Sequence, residues 1–429
     1  MRNLYTFILY LLTPIVVLRL LWRGMHAPAY WRRWTERFGY IPRVIHKRTI
    51  WLHAVSVGEV QAALPLIQSL RKRYPEMPMV VTTMTPTGSA RVMESLGENV
   101  IHIYVPYDLP GAVRRFLGRT NPCLAIIMET ELWPNLFYYC HHQGIPVMVA
   151  NARLSERSAK KYHRFYHLTR QTLQRVSAFA VQADEDASRF IELGADASSV
   201  HVTGNIKFDI GLPAGLHEQA QALRREWGQD RPIWIAASTH EGEEELVLEA
   251  FARVRKDAPN ALLILVPRHP ERFAKVAALC IKQGNSQGYK VVMRSEHRPC
   301  DSSTAIVIGD TMGELTLFYG ASDVAFVGGS LVATGGHNVL EPAAMRLPVV
   351  FGPHMFNFNE ISRLLLEAGA AVTINDTQQL AHTVTAFLMN ASQRLEAGDK
   401  AYQVIEKNRG ALDKMLNIID GYLASSGSL

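Results

Sequence analysis

The sequence predicts an α/β chain made of two Rossmann-like domains that face a central cleft. From Thr49 onward, short β-branched or apolar runs alternate with longer amphipathic stretches, which is the pattern of βαβ units. The alternation pauses once, in the glycine- and proline-containing stretch 204–215, and then restarts. Runs such as 123–128 are apolar throughout, as a parallel sheet covered on both faces requires.

We expect three parts, an N-terminal anchor over 1–22, a first domain over 23–210 and a second over 211–429, whose last helices can return to the first. The 429 residues, 48% hydrophobic and 20% charged, suffice for two domains of ordinary size. The expected strands are 50–55, 79–84, 100–105, 124–128, 147–150, 178–181 and 200–202 in the first half, and 233–237, 262–266, 291–293, 305–308, 324–327, 349–351 and 371–374 in the second. Ligands of such sheets bind beyond the carboxyl ends of strands, so residues that follow strands are the candidates for function.

The N-terminus carries a hydrophobic segment. Residues 4–18 are almost continuously apolar between Arg2 and Arg19. As a helix this run reaches about 24 Å, less than the roughly 30 Å of a bilayer core, and Pro14 is compatible with a spanning or an interfacial helix. A cleaved secretory signal is the alternative, but no small-residue cleavage site follows. We expect an uncleaved anchor with the catalytic body in the cytoplasm.

The charge indicates an anionic partner. The net charge is +6 with a pI near 9.1. The basic residues that crowd the region after the apolar run are Arg19, Arg23, Arg32, Arg33, Arg37, Arg43, Lys47 and Arg48. This basic neck favours a membrane surface over nucleic acid. The four cysteines form no C-x-x-C pair, so neither a disulfide framework nor a zinc site is expected.

The stretch His53–Glu59 is the first candidate site. An apolar run stops at Ser56 and Gly58, and a helical pattern begins with Glu59 in its first turn. Glu59 is a candidate general base, whereas Ser56-x-x-Glu59 is also the spacing of a capping box. The two roles can coexist, but a helix N-terminus favours the ionised carboxylate and weakens the base, so we expect desolvation on acceptor binding to raise the pKa of Glu59. Ser56 and Gly58 are candidate acceptor contacts.

In the second half, four segments follow strands, and their loops are expected to meet at one edge with glycine amides available to a phosphate. The segments are 238–240, 267–272, 309–314 and 328–330. The donor-site candidates that they supply are Arg268, His269, Gly309, Met312, Gly313, Glu314 and Ser330. The alternative for each segment is an ordinary βα turn.

The strongest local signal is the stretch 335–344, Gly-Gly-His-Asn-Val-Leu-Glu-Pro-Ala-Ala. Gly336 lets the backbone approach a ligand, and Asn338 is placed to cap the following helix. Glu341 is either a further capping residue or a carboxylate that takes the ribose hydroxyls. In the first half, Arg153 and Arg157 either lie on a solvated face or meet acceptor phosphates.

Six motifs in order resemble one family. They are Ser-Val-Gly-Glu59, Met128-Glu-Thr-Glu-Leu-Trp-Pro134, Asn151-Ala-Arg-Leu-Ser-Glu-Arg-Ser158, Thr203-Gly-Asn-Ile-Lys-Phe-Asp209, Pro267-Arg-His-Pro-Glu-Arg272 and Gly335-Gly-His-Asn-Val-Leu-Glu-Pro342. Together they are similar to the 3-deoxy-D-manno-octulosonic acid (Kdo) transferases, which are bacterial, membrane-associated glycosyltransferases of GT-B architecture. The resemblance extends from the N-terminal anchor to the last helices.

The resemblance implies transfer of Kdo from CMP-Kdo to the lipid A precursor lipid IVA at the cytoplasmic side of the inner membrane, with inversion and with no metal or other cofactor. Glu59 matches the family's general base. The positions that match the surroundings of CMP are Arg268, Gly313, Asn338 and Glu341. Glu129 and Glu131 match motif positions assigned here as catalytic, and Lys207 one assigned to the acceptor. The implied partners are an anionic glycolipid and the membrane surface, with no nucleic acid. The alternatives are a nucleotide-sugar epimerase of similar fold and a non-catalytic membrane-bound glycolipid-binding protein.

Overall fold

The structure is a computed structural model that describes residues 1–41 and 47–425. The chain forms two compact units, Met1–Asp209 with Asn408–Leu429, and Ile210–Lys407. The chain therefore leaves the first unit after Asp209 and returns to it at Asn408.

The first unit contains a seven-stranded parallel sheet in the order β3-β2-β1-β4-β5-β6-β7. Its strands are β1 Thr49–His53, β2 Met79–Thr83, β3 Ile101–Tyr104, β4 Pro122–Met128, β5 Val147–Ala152, β6 Ala178–Val181 and β7 Val200–Val202. Its helices before Asp209 are α1 Arg2–His26, α2 Val57–Arg73, α3 Pro86–Leu96, α4 Pro110–Thr120, α5 Pro134–His142, α6 Glu156–His163, α7 Tyr166–Leu173 and α8 Asp184–Glu192.

The second unit contains a second seven-stranded parallel sheet, in the order β10-β11-β9-β8-β12-β13-β14. Its strands are β8 Ile233–Thr239, β9 Leu262–Pro267, β10 Lys290–Met293, β11 Thr304–Ile308, β12 Val324–Val327, β13 Val349–Phe351 and β14 Ala371–Thr373. The remaining helices are α9 Leu216–Trp227, α10 Glu243–Asp257, α11 Phe273–Gln287, α12 Leu315–Gly320, α13 Leu340–Ala344, α14 Asn359–Glu367, α15 Thr377–Met389, α16 Ala391–Asn408 and α17 Ala411–Ser425. Of these, α17 returns to the first unit and contacts α2 and β4.

The predicted fold class is confirmed, and each of the fourteen expected strands is present, with ends that differ by at most two residues. The strands could be located because their residues are buried on both faces and are therefore apolar almost throughout. All seven residues of β4 and all seven of β8 are buried. Strand ends are less well determined by such a pattern, because the chain stays buried for a residue or two beyond the last ladder bond.

Helix α2 shows how a helix is fixed to its sheet. Ser56 caps its N-terminus and three basic residues complete its last turn, in accordance with the helix dipole. Val60, Leu66, Ile67 and Leu70 are completely buried in the core that α2 shares with β1 and β4. Burying each such side chain contributes roughly 1.5–3 kcal/mol. An aspartate at position 66 would place an unpaired charge in this core and break the packing.

In each sheet, successive strands are first added on one side of the first strand and later on its other side, and this change of direction is called here the winding reversal. In the first unit the chain goes from β1 to β2 and β3 on one side and then returns to β4 on the other. In the second unit β8 has β9 on one side and β12 on the other. The crevice beyond the strand ends at such a reversal is where open α/β sheets bind ligands. It lies between the loops that follow β1 and β4, and between those that follow β8 and β12.

The basic neck is only partly a charged surface. Arg37 is buried, donates from Nη2 to the Met84 carbonyl at 3.0 Å and lies 4.4 Å from the centre of the Tyr104 ring. Arg33 forms a 2.7 Å ion pair with Glu36. Arg37 therefore stabilises the fold, which corrects its assignment to a membrane surface, whereas Arg33 is exposed. Arg43 lies outside the described residues.

Candidate active site

Glu59 closes the predicted capping box. Its Oε2 accepts the Val55 N–H at 2.8 Å, and its own N–H donates to the Ser56 hydroxyl at 3.3 Å. The Ser56 hydroxyl in turn donates to Glu59 Oε1 at 3.0 Å. Gly58 is exposed, and an added Cβ there would meet only Ser56 Oγ, at 3.9 Å. The turn therefore fixes the carboxylate while the backbone beside it stays open to a ligand.

Two further carboxylates lie near Glu59, on the other side of the winding reversal. Burial raises the pKa of Glu59 to about 7, and the charges of Glu129 and Glu131 add to this rise, while hydrogen bonds from Val55 and Ser56 oppose it. The expected desolvation is thus already built into the first unit. A carboxylate with a pKa near neutrality is well matched to accepting a proton from a hydroxyl group.

The loop after β4 holds this acidic group in a special conformation. Glu129 has a φ of 57°, in the left-handed region, which is rare for a residue with a branched or long side chain. Its Oε2 lies 3.4 Å from Arg153 Nε, and its N–H donates to the Ala150 carbonyl at 2.9 Å. Trp133 Nε1 donates to Glu131 Oε2 at 2.8 Å. The two carboxylates are therefore oriented by neighbours from different loops.

His53 packs against Trp133, the residue that binds Glu131. Its ring is fully buried and lies edge to face with Trp133, with the ring centres 5.8 Å apart. Burial lowers the pKa of His53 to about 4, and its Nδ1 lies 2.9 Å from the Thr82 hydroxyl. His53 is consequently a neutral residue of the core at neutral pH. This makes Glu59, and not the histidine at the start of the stretch, the residue suited to take up a proton there.

The remaining acceptor candidates lie at different places in the first unit. Arg153 is brought to Glu129, whereas Arg157 lies on the exposed surface of α6. Lys207 is half-buried in a short 3₁₀ turn after β7, and its N–H donates to Asn205 Oδ1 at 3.0 Å. That turn is also held by Asn151, whose Oδ1 accepts the Ile206 N–H at 3.1 Å. The motifs around residues 151 and 205 thus support each other structurally.

In the second unit, two histidines meet across the winding reversal. Nε2 of His240, after β8, lies 2.7 Å from Nε2 of His337, in the loop after β12. The ring planes differ by 4° and the ring centres are 5.0 Å apart. Since 2.7 Å is shorter than the roughly 3.5 Å at which stacked faces meet, the rings lie edge to edge in one plane. One nitrogen must donate and the other accept, so the pair holds a single proton on its shared edge.

Arg268 supplies the positive charge of this group. Burial lowers the pKa of His337 to about 3, and Arg268 lowers it further. Burial also lowers the pKa of His240, which His269 faces at 5.4 Å between ring centres. Arg268 is exposed. The arrangement offers an anion one guanidinium and neutral imidazole edges.

Asn338 and Glu341 are linked as their spacing predicts. Asn338 Oδ1 accepts the Leu340 N–H at 3.0 Å, and its Nδ2 donates to Glu341 Oε1 at 2.9 Å. Burial raises the pKa of Glu341, and the bond from Asn338 and the charge of Arg268 oppose that rise. Asn338, Glu341, Arg268 and His337 therefore belong to one cluster.

The expected phosphate contacts of 328–330 are not available. Glu243, fully buried at the start of α10, accepts the Gly329 N–H at 2.6 Å through Oε2 and the Ser330 N–H at 3.0 Å through Oε1. It also accepts the amides of His240 and Leu331, each at 2.9 Å. Ser330 is fully buried, and its hydroxyl donates to the Val327 carbonyl. The structure thus places Ser330 in the scaffold, not at a ligand surface.

The segment 309–314 contributes in two ways. A Cβ at Gly309 would lie 2.8 Å from Val266 and 2.9 Å from Phe318, so this glycine is required for packing. Met312, by contrast, is 65% exposed, and Gly313 has a φ of 86°. Glu314 forms a two-point ion pair with Arg294, which lowers the pKa of the carboxyl group. Gly336, in the neighbouring loop, donates its N–H to the Gly329 carbonyl at 2.7 Å.

Sequence reasoning missed the pairing of His240 with His337 and the role of Glu243. All three lie in or beside segments that follow strands on the two sides of a winding reversal, and strand order would have been the signal. Among residues 1–41 and 47–425, no group of three or more His, Cys, Asp or Glu side chains is arranged to hold a metal ion.

Comparison with known proteins identifies relatives over the whole length. Residues 32–210 match a family profile described as 3-deoxy-D-manno-octulosonic-acid transferase (kdotransferase). A 3-deoxy-D-manno-octulosonic acid transferase from Haemophilus influenzae is 42% identical, covering 98% of this chain and 99% of that protein. One from Bordetella pertussis is 34% identical with the same coverage. A UDP-GlcNAc 2-epimerase from Neisseria meningitidis shares the fold, with a TM-score of 0.53 at 12% identity over 88% of this chain and 100% of that one.

Proposed function

The chain belongs to the Kdo transferases, and from this premise we propose that it moves Kdo from CMP-Kdo to lipid IVA during lipopolysaccharide core assembly, with inversion and without a metal. The observation that carries the mechanism is the half-buried Glu59 carboxylate at a winding reversal, with a pKa raised by burial to about 7. This group combines a fixed position with a proton affinity suited to an alcohol acceptor.

In the proposed reaction an acceptor hydroxyl attacks the anomeric carbon of Kdo on the face opposite the phosphate. The Glu59 carboxylate takes the hydroxyl proton as the new carbon–oxygen bond forms. The bond to the CMP phosphate breaks, and its electron pair leaves with the phosphate. One base is sufficient for these changes, because the leaving group is already an anion and does not need a proton.

We assign the CMP-Kdo donor to the second unit. Arg268 and His269 present exposed and half-exposed groups near the half-buried pair Asn338 and Glu341, and the exposed Met312 and Gly313 follow a neighbouring strand of the same sheet. A guanidinium can neutralise the phosphate as its charge grows, which is the role that a divalent cation has in other transferases. This charge arrangement supports the proposal that transfer does not need a metal.

We assign the acceptor to the first unit and the protein to the cytoplasmic face of the bacterial inner membrane. Helix α1 is long and apolar enough, by length and composition, to cross a membrane. The exposed arginines at 153 and 157 would meet the phosphates of the glycolipid. Nucleic acid is not a partner in this proposal.

Mass spectrometry of the lipid product tests the proposal. Purified protein incubated with CMP-Kdo and lipid IVA should yield lipid enlarged by Kdo and free CMP, and the mass also gives the number of sugars. EDTA should leave the rate unchanged. Loss of transfer with EDTA and its return with magnesium would refute the metal-free mechanism.

Two controls separate the alternative functions. Turnover of the nucleotide sugar without lipid would indicate an epimerase. Full function in cells of both Glu59→Ala and Arg268→Ala would indicate a glycolipid-binding protein without catalysis.

A further inference from the structure

Helix α1 is shielded from solvent on one face, where Leu20 and Gly24 are buried and seven further residues are half-buried. Its buried and half-buried residues are Arg2, Tyr5, Thr6, Leu9, Thr13, Val16, Val17, Leu20 and Gly24, and all its other residues are exposed. At about 100° per residue these nine positions fall within an arc of roughly 120°. A stripe of this kind indicates that the helix lies along a surface from its first turn to its last.

The first turn of α1 is bound to the loop before α4 and to α5. Tyr5 donates its hydroxyl to Asp108 Oδ2 at 3.0 Å, and Arg2 Nη1 and the Thr6 hydroxyl each donate to Asn135 Oδ1 at 3.0 Å. The Arg2 guanidinium lies 3.7 Å from the centre of the Tyr138 ring. Asp108 is buried and also accepts the amides of residues 135 and 136 at the start of α5.

The last turns of α1 are bound as well. Trp31 Nε1 donates to the Leu21 carbonyl at 3.1 Å, and the ring occupies the space that a side chain at Gly24 would fill. Burial raises the pKa of Tyr107, and the charges of Arg37 and Arg23 oppose this rise.

The face opposite the stripe is an apolar ridge. It comprises Phe7, Leu11, Ile15, Leu18 and Trp22, which are 66, 68, 60, 65 and 58% exposed. These five positions lie within about 40° of the direction opposite Arg2. Arg19, which is exposed, borders the ridge on one side, and Arg23, also exposed, lies beyond it at the edge of the stripe. An exposed apolar ridge with an arginine beside it fits a bilayer with anionic headgroups.

We propose that α1 lies flat between the first unit and the bilayer, with its apolar ridge in the acyl boundary and its N-terminus on the same side of the membrane as the catalytic body. A spanning helix would have to leave the body over some 20 residues, which would expose the stripe to lipid and remove the Tyr5–Asp108 bond. The inference rests on the proposed membrane association and adds the orientation of the helix.

Cysteine labelling tests this topology in the full-length protein in its native membrane. All four native cysteines are buried and free, so an introduced cysteine is the main accessible thiol. Asn3→Cys reports the exposed N-terminus of α1, and Ser302→Cys reports an exposed position on the body. Sealed vesicles of both orientations are treated with a membrane-impermeant maleimide, and detergent-solubilised samples give the full reactivity of each thiol.

We expect Asn3→Cys and Ser302→Cys to react in vesicles of the same orientation. Reaction of the two cysteines in vesicles of opposite orientation would show that α1 spans the bilayer and would overturn the inference. Kdo transfer by both variants in detergent is measured in parallel. A spanning result with normal transfer leaves the proposed function intact, whereas absence of transfer in the parent protein would contradict the function itself.

A second experiment tests the ridge. The double substitution Leu11→Glu and Leu18→Glu, at exposed positions, should preserve the melting temperature and abolish flotation with phosphatidylethanolamine/phosphatidylglycerol vesicles. Glu substitutions at Asn3 and Tyr10, which are exposed positions outside the ridge, serve as the matched control. Equal flotation of the ridge variant, the control and the parent would show that the ridge does not face the lipid.

Discussion

The Ser56 hydroxyl and Glu59 bind each other in both directions, since the hydroxyl accepts the Glu59 N–H and donates to the Glu59 carboxylate. A glutamine at position 59 can still accept from Val55 through its carbonyl oxygen but cannot take up a proton. We expect Glu59→Gln to lose about 10²- to 10⁴-fold in the rate of transfer. Glu76→Gln, at a carboxylate that is 90% exposed, is the matched control. An active, well-folded Glu59→Gln protein would restrict Glu59 to its structural role.

The same substitution has a predictable effect on stability. The pKa of Glu59 is raised from 4.5 to about 7, so the folded protein holds this proton more tightly than the unfolded chain. Ionisation therefore costs stability progressively as pH rises from about 4.5 to 7. The difference in melting temperature between Glu59→Gln and the parent, taken as variant minus parent, should be more positive at pH 8 than at pH 5. The opposite trend would mean that the carboxylate is stabilised in its charged form.

Glu129 should set the pH dependence of the reaction. If Glu59 is the base, the rate rises with pH with a midpoint near 7, and part of this elevation comes from the charge of Glu129. Glu129→Gln should move the midpoint to lower pH. Glu156→Gln, whose side chain is 73% exposed and pairs with Lys160, should leave it in place. An unchanged midpoint in Glu129→Gln would show that the two carboxylates are not coupled.

Glu243 should be important for stability although it is outside every motif that the sequence singled out. Glu243→Ala leaves four amides without their acceptor, at a cost of about 1–3 kcal/mol for each one that water does not reach. We expect a loss of at least about 3 kcal/mol in urea unfolding. Glu249→Ala, on the exposed side of the same helix, should change stability by less than about 0.5 kcal/mol. Similar values for both variants would contradict the assigned role.

The His240–His337 contact can be measured by a double-mutant cycle. Asparagine replacing either histidine should weaken the binding of CMP, and the second substitution should add little once the first is made. We expect a coupling free energy of about 1 kcal/mol in calorimetric titrations with CMP. Strictly additive effects would show that the two rings contribute independently. The same cycle between His240 and His297, which lies after β10, provides an additive reference.

The sequence predicted the inner strands because burial on both faces makes them apolar almost throughout, whereas the edge strands β7, β10 and β14 are partly exposed. It also placed Glu59 correctly in a capping box, since that motif needs only local spacing. Glu129 and Glu131 were named as catalytic through the family resemblance alone, and neither their proximity to Glu59 nor the histidine pair could be read from the sequence, because both depend on which loops a winding reversal brings together. Arg37 illustrates the same limit, since its charge suggested a surface, whereas its partner Met84 is distant in sequence. Ser330 was misjudged because the buried acceptor of its N–H is 87 residues away.

The backbone amides of residues 329–331 already bind a carboxylate, that of Glu243. Concave groups of backbone amides like this one often hold a phosphate in other proteins, but here the Glu243 side chain fills the nest from within. The loop is therefore ordered without any ligand, and substrate binding incurs no entropic penalty for arranging it. Inorganic phosphate cannot bind these amides, because the Glu243 carboxylate occupies them. In the proposed function, selectivity for the CMP donor would then arise at the exposed Arg268 and the half-buried histidines.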